Sequence, residues 1–281
     1  MTSKTFSESL RTYKAELAVL LILLAASYYS IVIPMVMDWY NDPNYSHGFF
    51  VPLIAGYFVW QRAGVLKTTS ARPDNRGLIV LIAGLLLLVF GHLATEYFSM
   101  RSSLIVVLAG TVLYLFGKDV LKGLALPLGY LFFMVPLPYI VYDAIAFPLR
   151  LFVTKCSVSA LSAMDIPVLR DGCIIEFPNV TLNVANACSG VRSLMSLLAL
   201  SVAVAYFTRT SAWKRWVIIL SAIPITIITN AVRIIATGLL VQYWGQRAAE
   251  GFFHEFIGMV VFGLALALLV AVAASIRRNG K

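Results

Sequence analysis

The apolar positions of this chain fall into long unbroken runs, and the polar positions gather in short segments between them. Runs at 15–37, 48–61, 77–98, 102–117, 123–141, 188–207, 213–244 and 253–276 stand out. A helix needs roughly 20 apolar residues to cross the hydrocarbon core; the second run is short by that measure and the seventh long. The pattern predicts an all-α polytopic membrane protein with about eight transmembrane helices. The first run is not followed by a small-residue cleavage site, so it reads as a retained span rather than a signal peptide. The segment 143–164 has the length to cross, but Pro148, Arg150 and Lys155 interrupt it. It is expected to lie as an amphipathic helix in the external interface, with a re-entrant segment as the alternative. The stretch 166–187 differs in kind, with β-branched residues between the turn signals Asp171-Gly172 and Pro178-Asn179. It predicts a short external β-hairpin.

Composition agrees with the pattern. The chain is 60% hydrophobic and 12% charged, with a net charge of +9. Soluble domains carry about 25% charged residues. The excess of basic residues does not call for nucleic acid, and no nucleic-acid module or internal repeat is visible. Lys and Arg gather in cytoplasmic loops because they resist translocation. Lys4, Arg11 and Lys14, then Arg62, Lys67, Arg72 and Arg76, then Lys118 and Lys122, then Arg209, Lys214 and Arg215, and last Arg277, Arg278 and Lys281 form such clusters. They fall on one side if the chain crosses eight times with both termini in the cytoplasm. Membrane lipid is the expected surroundings.

That topology gathers reactive residues on the external side. Cys188 opens one apolar run, in ACSGVRSL, with Ser189 and Arg192 behind it. Arg233 lies twenty residues into the run that begins at Trp213, roughly 30 Å along a helix and near the outer boundary. His254 opens the last run, in GFFHEFIGM. A helix N-terminus and a nearby cation favour thiolate over thiol, and Arg192 is one turn from Cys188. His254 can act as base toward the thiol and as acid toward a leaving amine. Arg233 can hold a carbonyl oxygen as it gains negative charge, and Asn230, three residues earlier on the same face, can orient Arg233 or the substrate. Each residue has a plainer reading. Cys188 can be packing filler, Ser189 and Gly190 can let helices approach, and Arg233 can snorkel toward the interface. His47 in NYSHGFFVP and His92 fall on the same side, so topology alone does not choose the base. HEFIG begins like the zinc-peptidase motif HExxH, but Gly258 stands where the second ligand would be. No CxxC or HxxxH spacing occurs, and neither a metal nor another cofactor is expected. Cys156 and Cys173 can pair in an oxidising compartment.

ACSGVRSL at a helix start, NAVR in the next span and FFH before the last together resemble the exosortase/archaeosortase family of membrane transpeptidases. YSHGFFVP and IPVLRDG resemble bacterial exosortases as well, and the similarity runs from about residue 38 to 275. The resemblance implies a catalytic set of Cys188, Arg233 and His254 at the external face, with Arg192 the second choice for the cation. Asn230, His47 and Ser189 are supporting or substrate-binding candidates. It implies substrates that are secreted proteins with a C-terminal tail of a Pro-Glu-Pro-like motif, a transmembrane helix and a basic cluster. It also implies a bacterial inner membrane, an active site facing the periplasm, and exopolysaccharide-linked protein sorting. The expected organisation is one integral membrane domain over 1–281, with the external helix and hairpin at about 143–187 and the catalytic helices at about 188–276. Two other functions fit the residues: a transporter or lipid carrier whose arginines and histidines line an anionic path, and a scaffold for polysaccharide assembly. A transporter tolerates Cys188→Ser, whereas a thiol transpeptidase does not.

Overall fold

A computed structural model describes residues 5–178, 180–184, 190–208, 210–245 and 252–278, with the side chains of residues 190, 191 and 252–255 outside that description. Its described residues form ten α-helices, two short 3-10 helices and one small sheet. Seven helices are long and apolar enough to cross a membrane. The chain is therefore an all-α multi-pass membrane protein. It divides into two compact units, Met1–Pro138 and Tyr139–Lys281.

The first unit opens with a short helix, α1 (Phe6–Thr12), whose start is closed by a reciprocal Thr5–Glu8 capping box. Then come α2 (Lys14–Asn41), a 3-10 turn (Pro43–Phe49) leading into α3 (Phe50–Thr68), α4 (Arg76–Leu93), α5 (Tyr97–Phe116) and α6 (Lys118–Tyr130). The closest pairing is α4 on α5. Gly77, Gly84 and Gly91 recur every seventh residue along α4 and are all buried. A Cβ at Gly84 would stand 2.7 Å from Val107 Cγ2, one at Gly91 2.8 Å from Met100 Cγ, and one at Gly77 would strike the backbone of Tyr114. Gly110 answers from α5, where a Cβ would come within 2.5 Å of the Leu81 nitrogen. Small residues at this spacing let two backbones touch, which in lipid is a main source of helix attraction.

The two ends of this unit differ in charge. At one end α1 meets the 62–76 segment: Phe6 N–H donates to the Thr69 carbonyl and the Phe6 ring packs edge-on against Phe116. Arg72 N–H donates to the Phe116 carbonyl there, and Lys118 pairs with Asp74 at 3.6 Å. Gly117, at φ 84°, ends α5 in a left-handed conformation that also leaves room for the Arg72 carbonyl. At the opposite end Arg101 is nearly buried and bridges to Asp38 at 2.6 Å, with its guanidinium over the Tyr97 ring. Glu96 caps α5 by accepting from the Phe98 and Ser99 N–H groups. Partial burial pushes the Glu96 carboxyl up, but the bonds from Ser99 and Phe98 and the Arg101 charge outweigh it and hold it below the usual carboxylate range.

Two expected boundaries move. The span expected at 123–141 ends as a helix at Tyr130, gives way to a 3-10 turn at Leu131–Met134 and then to extended chain. Pro136 and Pro138 account for this, since a proline disfavours helical backbone in the residue before it. The short run at 48–61 becomes a continuous Pro43–Thr68 segment of 26 residues.

The second unit comprises α7 (Tyr139–Ala163), strands β1 (Leu169–Asp171), β2 (Ile174–Phe177) and β3 (Val180–Asn183), then α8 (Gly190–Phe207), α9 (Ala212–Trp244) and α10 (Phe252–Arg278). The helix expected to lie in the interface is α7. At 25 residues it is also one of the seven long enough to cross, and its Arg150 is answered two turns back by Asp143 at 3.7 Å. The expected hairpin is a three-stranded antiparallel meander, because the two turn signals make two turns rather than one. Ile175 and Leu182 face each other across β2 and β3 and are both buried with Phe177, while Glu176 and Thr181 point outward.

α9 is the axis of this unit. Its first half shares a core with α8 and α10 through Leu197, Ile218, Ala222, Ile225, Ala265 and Leu269. Its second half takes the sheet and α7, with Val153, Leu161, Ile175, Phe177, Ile234 and Val241 in one cluster. Gly238 permits this approach: a Cβ there would stand 3.1 Å from the Phe177 ring and 3.2 Å from Leu161.

Candidate active site

Of the sequence-derived candidates, the second unit contributes Arg192 on α8 and Asn230 and Arg233 on α9 to the described side chains. β3 delivers the chain to Val184, which is buried and whose N–H donates to the Cys173 carbonyl at 3.0 Å. Six residues later α8 begins. Cys188 and Ser189 fall between and lie outside the described residues. Arg192 is in the first turn of α8 and is half-buried.

Arg233 comes from the second half of α9. It follows Asn230, which is buried at 5% exposure, and is itself half-buried. α7 closes on this stretch, with Ser157 Oγ 3.5 Å from the Ala231 carbonyl. Across the helix pair, the Arg233 side chain reaches α10 at Gly258. A Cβ at that glycine would stand 3.1 Å from Arg233 Nη2, 3.3 Å from Cζ and 3.7 Å from Nη1. The guanidinium thus lies against the α10 backbone at Gly258. Gly258 is four residues after His254, one helical turn. The backbone of α10 is helical from Phe252, so His254 belongs to the turn next to the one Arg233 touches; the His254 side chain itself lies outside the described residues.

The layer beneath is apolar and closed. Ile225 lies eight residues before Arg233 and Ala265 seven after Gly258, roughly 10–12 Å down each helix, and both belong to the α8–α9–α10 core. A guanidinium placed above such a floor sits where a developing negative charge would be poorly screened by water and strongly felt.

His47 belongs to the first unit. Its Nε2 donates to the Phe133 carbonyl at 3.1 Å, which requires the proton on that nitrogen, and it ties the Pro43–Phe49 turn to the Leu131–Met134 turn after α6. The following Gly48 has a packing reason: a Cβ there would stand 2.5 Å from the Trp39 indole, which in turn donates to the Met134 carbonyl. His92 is exposed at the end of α4. Cys156 and Cys173 are free thiols, the former exposed. Among the described residues no three His, Cys, Asp or Glu side chains gather as a metal site. Sequence reasoning missed Gly258 as a partner of Arg233; its only signal was the incomplete HExxH. It also missed the buried Arg101, whose signal was one charge inside the apolar run 102–117 extended by a turn.

Compared with known families, residues 39–271 match the model of a family described as transmembrane exosortase. Among curated proteins and among solved structures, none matches the chain.

Proposed function

The chain belongs to the transmembrane exosortase family, and from that premise we propose that it is a membrane-embedded cysteine transpeptidase acting on the C-terminal sorting signals of secreted proteins. The family supports a membrane transpeptidase in general. The observation that supports the finer reading is the reach of Arg233 from α9 onto α10 at Gly258, one helical turn along the chain from position 254. Cys188 precedes α8, the remaining helix of that core.

In the proposed reaction the Cys188 thiolate attacks the carbonyl carbon of the scissile peptide bond. The carbonyl oxygen becomes an oxyanion, and the Arg233 guanidinium holds it by charge and hydrogen bonds. The intermediate collapses as the C–N bond breaks. The proton taken from the thiol by His254 passes to the departing amine, releasing the helical tail. A thioester remains on Cys188. An acceptor amine attacks it and gives a proton back through His254, restoring the thiol and forming a new amide; water in place of the amine gives hydrolysis. Asn230 and Ser189 support the guanidinium and the substrate, and Arg192 serves as the alternative cation. The substrate carries a Pro-Glu-Pro-like motif, a transmembrane helix and a basic tail. The helix partitions into lipid beside the bundle, while the short motif meets Cys188 at the surface. The basic ends of the units face the cytoplasm of a bacterial inner membrane, and the reaction takes place on the periplasmic side.

The test is a reporter bearing such a tail, expressed with the protein and followed by mass on gels. Cys188→Ala is expected to leave the reporter full-length, and Cys188→Ser to process it at a small fraction of the normal rate. Normal processing by both variants would sink the proposal and return the transporter reading.

A further inference from the structure

Position 258 is where a zinc peptidase of the HExxH type would carry its second histidine. In this chain it is a glycine, and the guanidinium of Arg233 presses close to where a Cβ would stand. We propose that Gly258 is a positioning residue for the reaction: its missing side chain is the notch that seats Arg233 against α10. This rests on the transpeptidase reading above for what Arg233 does, and adds how Arg233 is held.

The steric case is specific to this glycine. Separations of 3.1 and 3.3 Å from a Cβ to Nη2 and Cζ are tighter than ordinary van der Waals contact. A methyl group therefore moves the guanidinium by a few tenths of an ångström or changes its tilt. The flanking positions Ala231, Ile234 and Ile235 belong to the cluster that α9 shares with α7 and the sheet, so the backbone carrying Arg233 is fixed and the adjustment falls on the guanidinium itself. A charged group that must meet a developing oxyanion is sensitive to such a shift: misplacement by about 1 Å costs on the order of 10²-fold in rate. The same helix provides its own control. At Gly263, five residues on, a Cβ meets nothing within 4 Å. Gly→Ala at either position raises helix propensity by a similar amount, so only the contact with Arg233 distinguishes them.

The experiment compares Gly258→Ala with Gly263→Ala in the full-length protein. Three quantities are read: the rate of processing of the tailed reporter, the amount of reporter co-purified when each substitution is placed in a Cys188→Ala background, and the melting temperature in detergent. The expected result is that Gly258→Ala slows processing about tenfold with reporter retention and melting unchanged, while Gly263→Ala behaves as the parent. In an Arg233→Lys background, whose ammonium lacks the planar group that meets position 258, the Gly258→Ala change is expected to cost less than about twofold, because coupled residues lose their additivity. Parental rates for Gly258→Ala, or a slowing that tracks lost reporter retention or lower melting, would overturn the seat. Failure of the transpeptidase reading shows separately, as normal processing by Cys188→Ala.

Discussion

Arg233 emerges from the second half of a 33-residue apolar helix, where an ionised group is costly unless something uses its charge. If its use is the oxyanion, Arg233→Ala should reduce the processing rate by about 10²–10³. Arg233→Lys should recover part of that, keeping the charge but losing the planar fork. Arg101 is the same residue type put to structural use, nearly enclosed between the Asp38 carboxylate and the Tyr97 ring. Asp38→Ala leaves that buried charge without its carboxylate and is expected to lower stability by roughly 1.5–3 kcal/mol, read as a fall in melting temperature with Arg233 chemistry untouched. Sequence made Arg233 visible because it interrupts an apolar run, and it made Cys188 and His254 visible because they open such runs. Gly258 was hidden for the opposite reason: its contribution is the absence of a group, and only the neighbour pressing close to that place reveals it. His47 was visible as a histidine in a polar motif, but its bond to the Phe133 carbonyl depends on a chain segment 86 residues away.

At the level of elements, the α4–α5 pair offers a sharp contrast. Gly84→Ala places a methyl group against Val107 and should destabilise the protein by about 1–3 kcal/mol through overpacking. Gly56→Ala and Gly64→Ala, on α3 where a Cβ meets nothing within 4 Å, should be neutral; melting in detergent distinguishes them. The Glu96 cap of α5 has a pH signature. Its carboxyl is held below the ordinary value, so its contribution, roughly 0.3–1 kcal/mol for a charge at a helix start, is complete above the unfolded-state value near 4.3. That contribution is lost as pH falls through the lower folded-state value. Melting of Glu96→Gln followed against pH should lack this acid-side loss, while the parent shows it. Helix existence was legible wherever apolar runs were long, because length against the bilayer decides it. The end of α6 was not, since the run reads as apolar through 141 and the Val-Pro-Leu-Pro sequence had to be weighed against hydropathy. The third strand was legible in its second turn signal. α7 was ambiguous because one charge pair, Asp143 with Arg150, decides how an apolar helix with an arginine is read, and that pairing is invisible until the helix winds.

For the whole molecule, the distribution of charge makes the clearest prediction. In the first unit the basic residues of 62–76 and Lys118 share an end with α1; in the second, Lys214, Arg215, Arg277 and Arg278 stand at the ends of α9 and α10 remote from the sheet. A fluorescent protein fused after residue 281 is expected to fluoresce, as it does only in the cytoplasm, and a cysteine introduced at Lys67 should resist membrane-impermeant maleimide in intact cells. The glycine seam has one further consequence, for biosynthesis. α4 and α5 are joined by only Ala94, Thr95 and Glu96, so their contacts are local along the chain and can form early. They can enter the bilayer as a closed helical hairpin while later segments are still being translated. α1, made before both, rests on Thr69 and Phe116. Once it has left the ribosome it therefore waits for more than a hundred residues before its seat exists.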